Sequence, residues 1–312
     1  MGVVGPVLPA MTEIQVSMLD VVRRGAGRLD PEARSAIIDF VRGQACPEGG
    51  FAGRSRDPDL YYTMFALDSL AALAETCPAE GTSQLLCASL PLADLDLIHQ
   101  VCWVRCAAHI RRLGQPLSGA PSARAWADSI AACRAADGGY ATEAGGQASA
   151  YGAFMAALAY GDLGMPLPDV SLLVASLGGL KAGDGGYANQ PGRPTGQTPA
   201  TAAALAVTAR YGGAPVRPVV EWLCNQFTVD GGLRANPFAP AADLLSTATG
   251  LFALSLHDAV PPGCQAAVSD YVDQLWADSG GFVGHVLDEV ADVEYTFYAL
   301  MALGAVSFDS IR

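Results

Sequence analysis

"CPEGGFAGRSRDPDLYYTMFALDSLAAL", residues Cys46–Leu73, sets out a glycine pair, an aromatic, a polar loop and an apolar stretch in that order. The same grammar returns as "DGGY" from Asp137 and Asp184, "DGGL" from Asp230 and "SGGF" from Ser279. These turn pairs begin at Gly49, Gly138, Gly185, Gly231 and Gly280, so the last three intervals are 47, 46 and 49 residues. The first interval, 89, is close to twice that period and predicts a degenerate unit near residue 94. "LPLADLDLIHQVCWVRCAAHIRRL" (Leu90–Leu113) stands there, with its glycines gone and its helical pattern kept. Six units follow.

Each unit opens on a helix of mixed polarity, such as "PEARSAIIDFVRGQ" (Pro31–Gln44), and closes on one apolar nearly all round, such as "TATGLFALSL" (Thr247–Leu256). A helix apolar on every side must be buried on every side. Repeated six times, that predicts an inner barrel of six helices ringed by six outer ones. The fold class is therefore all-α, an α6–α6 toroid over residues 31–312. A segment of residues 1–30 with a short helix near Met11–Arg24 precedes it. The glycines turn the chain sharply from outer to inner helix, where a side chain would obstruct it. No stretch alternates with period two for long enough to predict a strand.

Of the 312 residues, 51% are hydrophobic and 16% charged, a balance that suits a large core. A net charge of −13 excludes a nucleic-acid or anionic-membrane partner, whose phosphates it would repel. No run is long enough for a membrane span. Eight cysteines without a CxxC pair read as buried thiols, and the expected location is cytoplasmic.

Aligning the inner-helix starts reveals a second pattern. Asp59, Asp243 and Asp292 precede Thr63, Thr247 and Thr296 by four residues, one helical turn. Gln147 before Tyr151, Gln197 before Thr201, and His99 with Gln100 before Trp103 fill the other units. Polar groups thus gather at one rim, where six helix N-termini and the loop residues Arg54, Arg193 and Arg234 could hold an anion. The aspartates have two readings. As helix caps they would be held ionised by the helix dipole; in an apolar cavity, burial would favour their acid form and a proton-transfer role. His99, Cys102, Cys106 and His109 fall along one helical stripe, but at 1.5 Å per residue it runs about 15 Å, too long for one metal ion. No metal and no cofactor is expected.

The turns, and above all "RDPDLYYTMFALDSL", resemble the β subunits of protein prenyltransferases, closest in look to those of Rab geranylgeranyltransferases. The repeat is shared with the terpene and squalene cyclases. The resemblance covers about residues 31–305 and implies a toroid whose central cavity holds an isoprenoid. The zinc site of the prenyltransferases does not carry over: Leu245 stands at its cysteine and Tyr295 at its histidine, with only Asp243 kept. Gly196 matches the diphosphate-binding histidine, and Asn236 and Ala239 the basic pair. The Asp-x-Asp-Asp acid of the cyclases is absent too; "DPD" (Asp57–Asp59) and "DLD" (Asp94–Asp96) are partial matches.

The functional expectation is a zinc-independent isoprenoid-processing enzyme, a terpene cyclase or small-molecule prenyl-transfer enzyme of specialised metabolism. In it Asp59, Asp243 or Asp292 moves a proton and Tyr62 and Tyr295 shield positive charge. Tyr61, Tyr62, His99, Trp103 and Tyr151 would contact the substrate, with Arg54, Arg193 and Arg234 at its head. Two alternatives stand beside it: a non-catalytic carrier of a prenyl or other hydrophobic ligand, and an interaction subunit beside a helical partner.

Overall fold

In the computed structural model, residues 13–212 and 217–307 are described. Six outer helices, α2 (Pro31–Gly43), α4 (Ala79–Ala88), α6 (Ala123–Ala132), α8 (Val170–Leu177), α10 (Arg217–Cys224) and α12 (Gln265–Asp273), alternate with six inner ones. The inner helices are α3 (Leu60–Ala72), α5 (Leu97–Arg112), α7 (Ala150–Asp162), α9 (Thr198–Tyr211), α11 (Leu244–Ser255) and α13 (Val293–Ala305). Each inner helix packs on the next, and α13 returns to α3, so the ring is closed. This is the alpha-alpha toroid that the repeat predicts. Leu67, Leu70, Leu251, Leu254 and Leu300 are wholly buried, and each such side chain contributes about 1.5–3 kcal/mol.

The glycine pairs serve two purposes. The first glycine of each turn has positive φ, from 87° at Gly280 to 101° at Gly49, where other residues are strained. The pair also presses on the outer helix of the following unit. A Cβ at Gly231 would lie 2.1 Å from the Ala267 carbonyl oxygen, and one at Gly186 or Gly232 would enter the ring of Trp222 or Tyr271. At the seam, Gly280 and Gly281 meet Ala36 and Phe40 of α2 in the same way, joining the last unit to the first.

After two of the turns the chain runs as a two-residue antiparallel pairing: β1 (Phe51–Ala52) with β2 (Pro58–Asp59), and β3 (Leu233–Arg234) with β4 (Ala242–Asp243). Elements this short carry no period, which is why no strand was legible. The threonines explain the second sequence pattern. Thr63, Thr201, Thr247 and Thr296 are fully buried, and each hydroxyl accepts from the backbone N–H that follows a glycine pair: Phe51, Tyr187, Leu233 and Phe282.

Helix α1 (Glu13–Ala26) begins two residues after the expected Met11, and Met11 and Thr12 lie outside the described residues. It crosses the far end of the barrel, touching α13, α3, α7 and α9. The crossing on α13 is backbone to backbone: a Cβ at Gly25 would lie 1.8 Å from the Leu300 oxygen, and one at Gly304 1.7 Å from the Val21 oxygen. All eight cysteines are free, but only Cys102, Cys106 and Cys133 are buried, and Cys87 is exposed. Among the described residues no helix is long and apolar enough to cross a membrane.

Candidate functional site

The inner-helix N-termini share one rim, and five of the six are capped by a side chain, Gln197 at the start of α9 making no such bond. Asp59 accepts from the N–H groups of Tyr61 and Tyr62, Asp243 from that of Ser246 and Asp292 from that of Tyr295. Two caps differ from the sequence alignment. In the degenerate unit the cap is Asp96, accepting from His99 N–H, and in the third it is Ser149, accepting from Gly152 N–H. Gln100 and Ala153 therefore occupy the threonine positions of these units, which is why aligning on Trp103 and Tyr151 misplaced the register. Burial raises the pKa of Asp243 and Asp292, and their capping N–H groups oppose the rise.

The rim is stitched from unit to unit. The backbone N–H at the start of an inner helix donates to the loop of the following unit: Leu97 to Thr142, Tyr151 to Asn189 Oδ1, Thr198 to Ala235 and Leu244 to Gly284. The last helix is joined to the first unit by charge instead. Arg54 Nε donates to Asp292 Oδ2 at 2.9 Å, and its other nitrogens bond Asp288. The guanidinium also sits 5.4 Å from the ring centre of Tyr295. Arg54 thereby holds Asp288 below the usual carboxylate range.

Inside the barrel lies a cavity of about 530 Å³, walled by all six inner helices and closed at its far end by Met18 of α1. Its wall on the α3–α13 seam is aromatic: Tyr61 packs edge-on against Phe65, which meets Phe297 and Tyr298 at 5.2 and 5.5 Å. The phenol of Tyr61 donates to Glu294 Oε1 at 2.7 Å. Burial pushes the Glu294 carboxyl up from 4.5 to about 7, against the hydrogen bond from Tyr61 that favours its charged form. The same burial holds Tyr61 neutral. Glu294 follows the Asp292 cap by two residues, and only ring closure brings it to a tyrosine 233 residues away.

At the floor, Asp68 and Arg105 both contribute to the wall. Arg105 Nη2 lies 2.8 Å from Asp68 Oδ2, and His109 Nε2 lies 2.7 Å from Oδ1. Burial works to raise the Asp68 pKa, but Arg105 and His109 outweigh it and hold the carboxylate ionised. A charged residue inside an apolar helix is a legible signal, present in "FALDSLAAL" and "CWVRCAAHI" and unused above.

Above the cavity opens a polar basin of about 720 Å³ that shares Tyr151 and Asn189 with it. Gln147, Gln190, Gln197 and Asn236 line the basin, and Arg193 is the charged residue among them. Gly196 and Asn236, which match diphosphate-binding positions, face this space with no cationic group.

Of the residues singled out from sequence, Tyr61, His99 and Tyr151 line the cavity and Arg193 the basin. Tyr62 packs on Gly53, and Tyr295 on Gly284 beneath Arg54. Trp103 turns outward, donating to the Leu86 carbonyl and stacking on Trp126 at 4.5 Å. Arg234 bonds the carbonyls of Pro237 and Asn225. None of these four, nor Arg54, Asp59, Asp243 or Asp292, is among the cavity-lining residues. His99 at the rim pairs with Asp96 at 2.7 Å, and His109 at the floor with Asp68, so the stripe does not converge. Among the described residues no group of three or more His, Cys, Asp or Glu side chains could hold a metal ion.

The raised Glu294 pKa has a signed consequence. Between about 4.5 and 7 the folded chain holds a proton on Glu294 that the unfolded chain has released, so this group favours folding at the acid end. Thermal melts of the parent and Glu294→Gln are expected to show the parent gaining relative stability as pH falls through that window, by up to about 3 kcal/mol. A pH-independent difference would contradict the assignment.

In backbone architecture the chain is similar to solved toroids. The type II terpene cyclase MstE from Scytonema, free of ligand, is 18% identical with a TM-score of 0.60, over 88% of this chain and 96% of that one. A variant of MstE in complex with geranylgeranyl dihydroxybenzoate, its substrate, is 16% identical with a TM-score of 0.58, over 92% and 97%. A protein from Actinoplanes is 15% identical with a TM-score of 0.58, over 88% and 99%. At such identities the likeness is one of fold. No curated protein matches the sequence. The sequence model of the prenyltransferase alpha-alpha toroid domain matches residues 14–174, 89–258 and 247–312. The chain belongs to the prenyltransferase alpha-alpha toroid domain family.

Proposed function

We infer that this chain is a zinc-independent isoprenoid-processing enzyme of the cyclising kind, acting on one hydrophobic chain folded inside the barrel. The observation that carries the reading is the Tyr61–Glu294 pair: a phenol on the wall of an aromatic cavity, backed at 2.7 Å by a carboxyl that is half protonated near pH 7. A general acid works best with a pKa near the working pH. In the proposed step the acid form of Glu294 turns the hydrogen bond round and donates to the Tyr61 oxygen, which frees the phenolic O–H for the cavity; an alkene of the substrate takes that proton with its π pair as the Glu294 proton passes to the Tyr61 oxygen. The phenol stays neutral throughout. Ring closure moves the cation along the chain, past the faces of Phe65, Phe297 and Tyr298, whose quadrupoles stabilise it where water is excluded. His99, oriented by Asp96, is the wall residue suited to accept the final proton. Protons in and out balance, and the product is an isomer of the substrate.

The fold-level analogy to a type II terpene cyclase supports this reading without fixing it. The caps Asp59, Asp243 and Asp292, bound to backbone N–H groups, are assigned to the rim's architecture and Tyr62 and Tyr295 to its packing.

The amide-rich basin suits a head group with one negative charge or none. A diphosphate carries about three and would find Arg193 alone. Calorimetric titration with geranylgeraniol and with geranylgeranyl diphosphate tests this: the alcohol is expected to bind at least as tightly. A tenfold or greater preference for the diphosphate would overturn the head-group assignment. Tight binding of the alcohol with no turnover would leave a carrier rather than an enzyme.

A further inference from the structure

Every wall of the cavity ends at the same level. The ninth residues of the six inner helices, Asp68, Arg105, Leu158, Ala206, Phe252 and Met301, all line it, and no lining residue lies farther along any of those helices. None of the six is more than 4% exposed, so side by side they shut the barrel, with α1 behind them. At the rim, second residues such as Tyr61, Tyr151, Pro199 and Leu245 line the opening. Second to ninth is seven residues, so the walls are about 10 Å deep. The walls differ in bulk. From α9 come only Pro199, Ala202, Ala203 and Ala206, so this wall is set back, across the ring from the aromatic α3–α13 seam.

A chain entering at the rim finds its path down α9. At the floor that path meets Ala206, which has nothing beyond Cβ to close it, while Phe252 on the neighbouring helix α11 is the largest uncharged member of the ring. Asp68 and Arg105 are held by each other and by His109, and Met301 is unbranched and yields readily. We propose that Phe252 sets the length of chain the cavity accepts, its rigid ring filling the place that Ala206 leaves open. The proposal rests on reading the cavity as an isoprenoid pocket. Each isoprene unit that fits above the ring buries apolar area and adds affinity. The first unit too many meets the ring and is excluded.

The test is titration of the full chain with geraniol, farnesol, geranylgeraniol and geranylfarnesol. Parent affinity is expected to rise with length and then to drop at least tenfold at one step of the series. In Phe252→Ala the longer alcohol of that step should bind at least as tightly as the shorter. Adding Ala206→Phe to Phe252→Ala returns the volume to the ring and should restore the parental drop. An unchanged drop in Phe252→Ala, no restoration by the second change, or a parent affinity that rises through the whole series would overturn the assignment to Phe252 and leave the isoprenoid pocket standing. Binding of none of the four alcohols would overturn pocket and stop together. Should Phe252→Ala not fold, Phe252→Leu makes the same test on a smaller scale: the drop should shrink at least threefold, and an undiminished drop would overturn the assignment.

Discussion

Glu294→Gln is expected to lower turnover of an isoprenoid substrate by about 100- to 10,000-fold while leaving ligand affinity nearly unchanged. Glutamine keeps the length of the side chain and can still accept from the Tyr61 phenol, so the wall of the cavity persists and only the proton is lost. Tyr61→Phe should cost a similar factor, because the carboxyl reaches the cavity through that oxygen. The two changes combined should cost little more than either alone, as for residues acting as a unit. The pH dependence separates proton supply from mere support. Parent activity should fall as pH rises through about 7, where Glu294 loses its proton, and the residual activity of Glu294→Gln should lack that limb. Steady-state rates across pH 5–9 check this. A Glu294→Gln enzyme of near-parental rate would remove Glu294 from the chemistry.

Gly304→Ala is expected to destabilise the fold more than any rim substitution. The added Cβ would lie 1.7 Å from the Val21 carbonyl oxygen, and both partners are backbone, so no rotamer change relieves it. Helix α1 must move away from α13, and Val21, Val22 and Met18 lose their cover. Overpacking of this kind costs about 3 kcal/mol, which in a chain of this size lowers Tm by roughly 5 °C. Since Met18 closes the floor of the cavity, ligand affinity should fall with it. Gly43→Ala, with nothing within 4 Å of its added Cβ, is the matched control and should be neutral. Hydrogen exchange would show the loss as faster exchange in α1. Equal Tm for both variants would contradict the crossing.

The repeat made the architecture legible because glycine pairs are tied to the fold twice over, by positive φ and by contact with the following outer helix. The Asp-to-Thr spacing likewise marked real inner-helix starts, since each such threonine holds the backbone beside a glycine pair. Where the threonine is replaced by Gln100 or Ala153 the marker vanishes, and the register of those two units was misread. The site was less legible because it is built across the seam. "DVEYTF" shows an acidic residue next to a tyrosine at a helix start, but not that Glu294 meets Tyr61 rather than its neighbour Tyr295. Side-chain direction was the missing information too for Trp103, whose large ring points to the outer layer. Asp68 and Arg105 were visible as charges set in apolar helices, and their pairing follows from the contact of α3 with α5.

The central claim is that a proton passes from Glu294 through Tyr61 into a hydrocarbon chain. Incubation of the protein with geranylgeraniol in deuterium oxide, followed by mass spectrometry of the extracted product, tests it most directly. The expected product is an isomer of the substrate carrying one carbon-bound deuterium, absent when Glu294→Gln is used. A product without carbon-bound deuterium, or recovery of bound but unchanged geranylgeraniol, would contradict it.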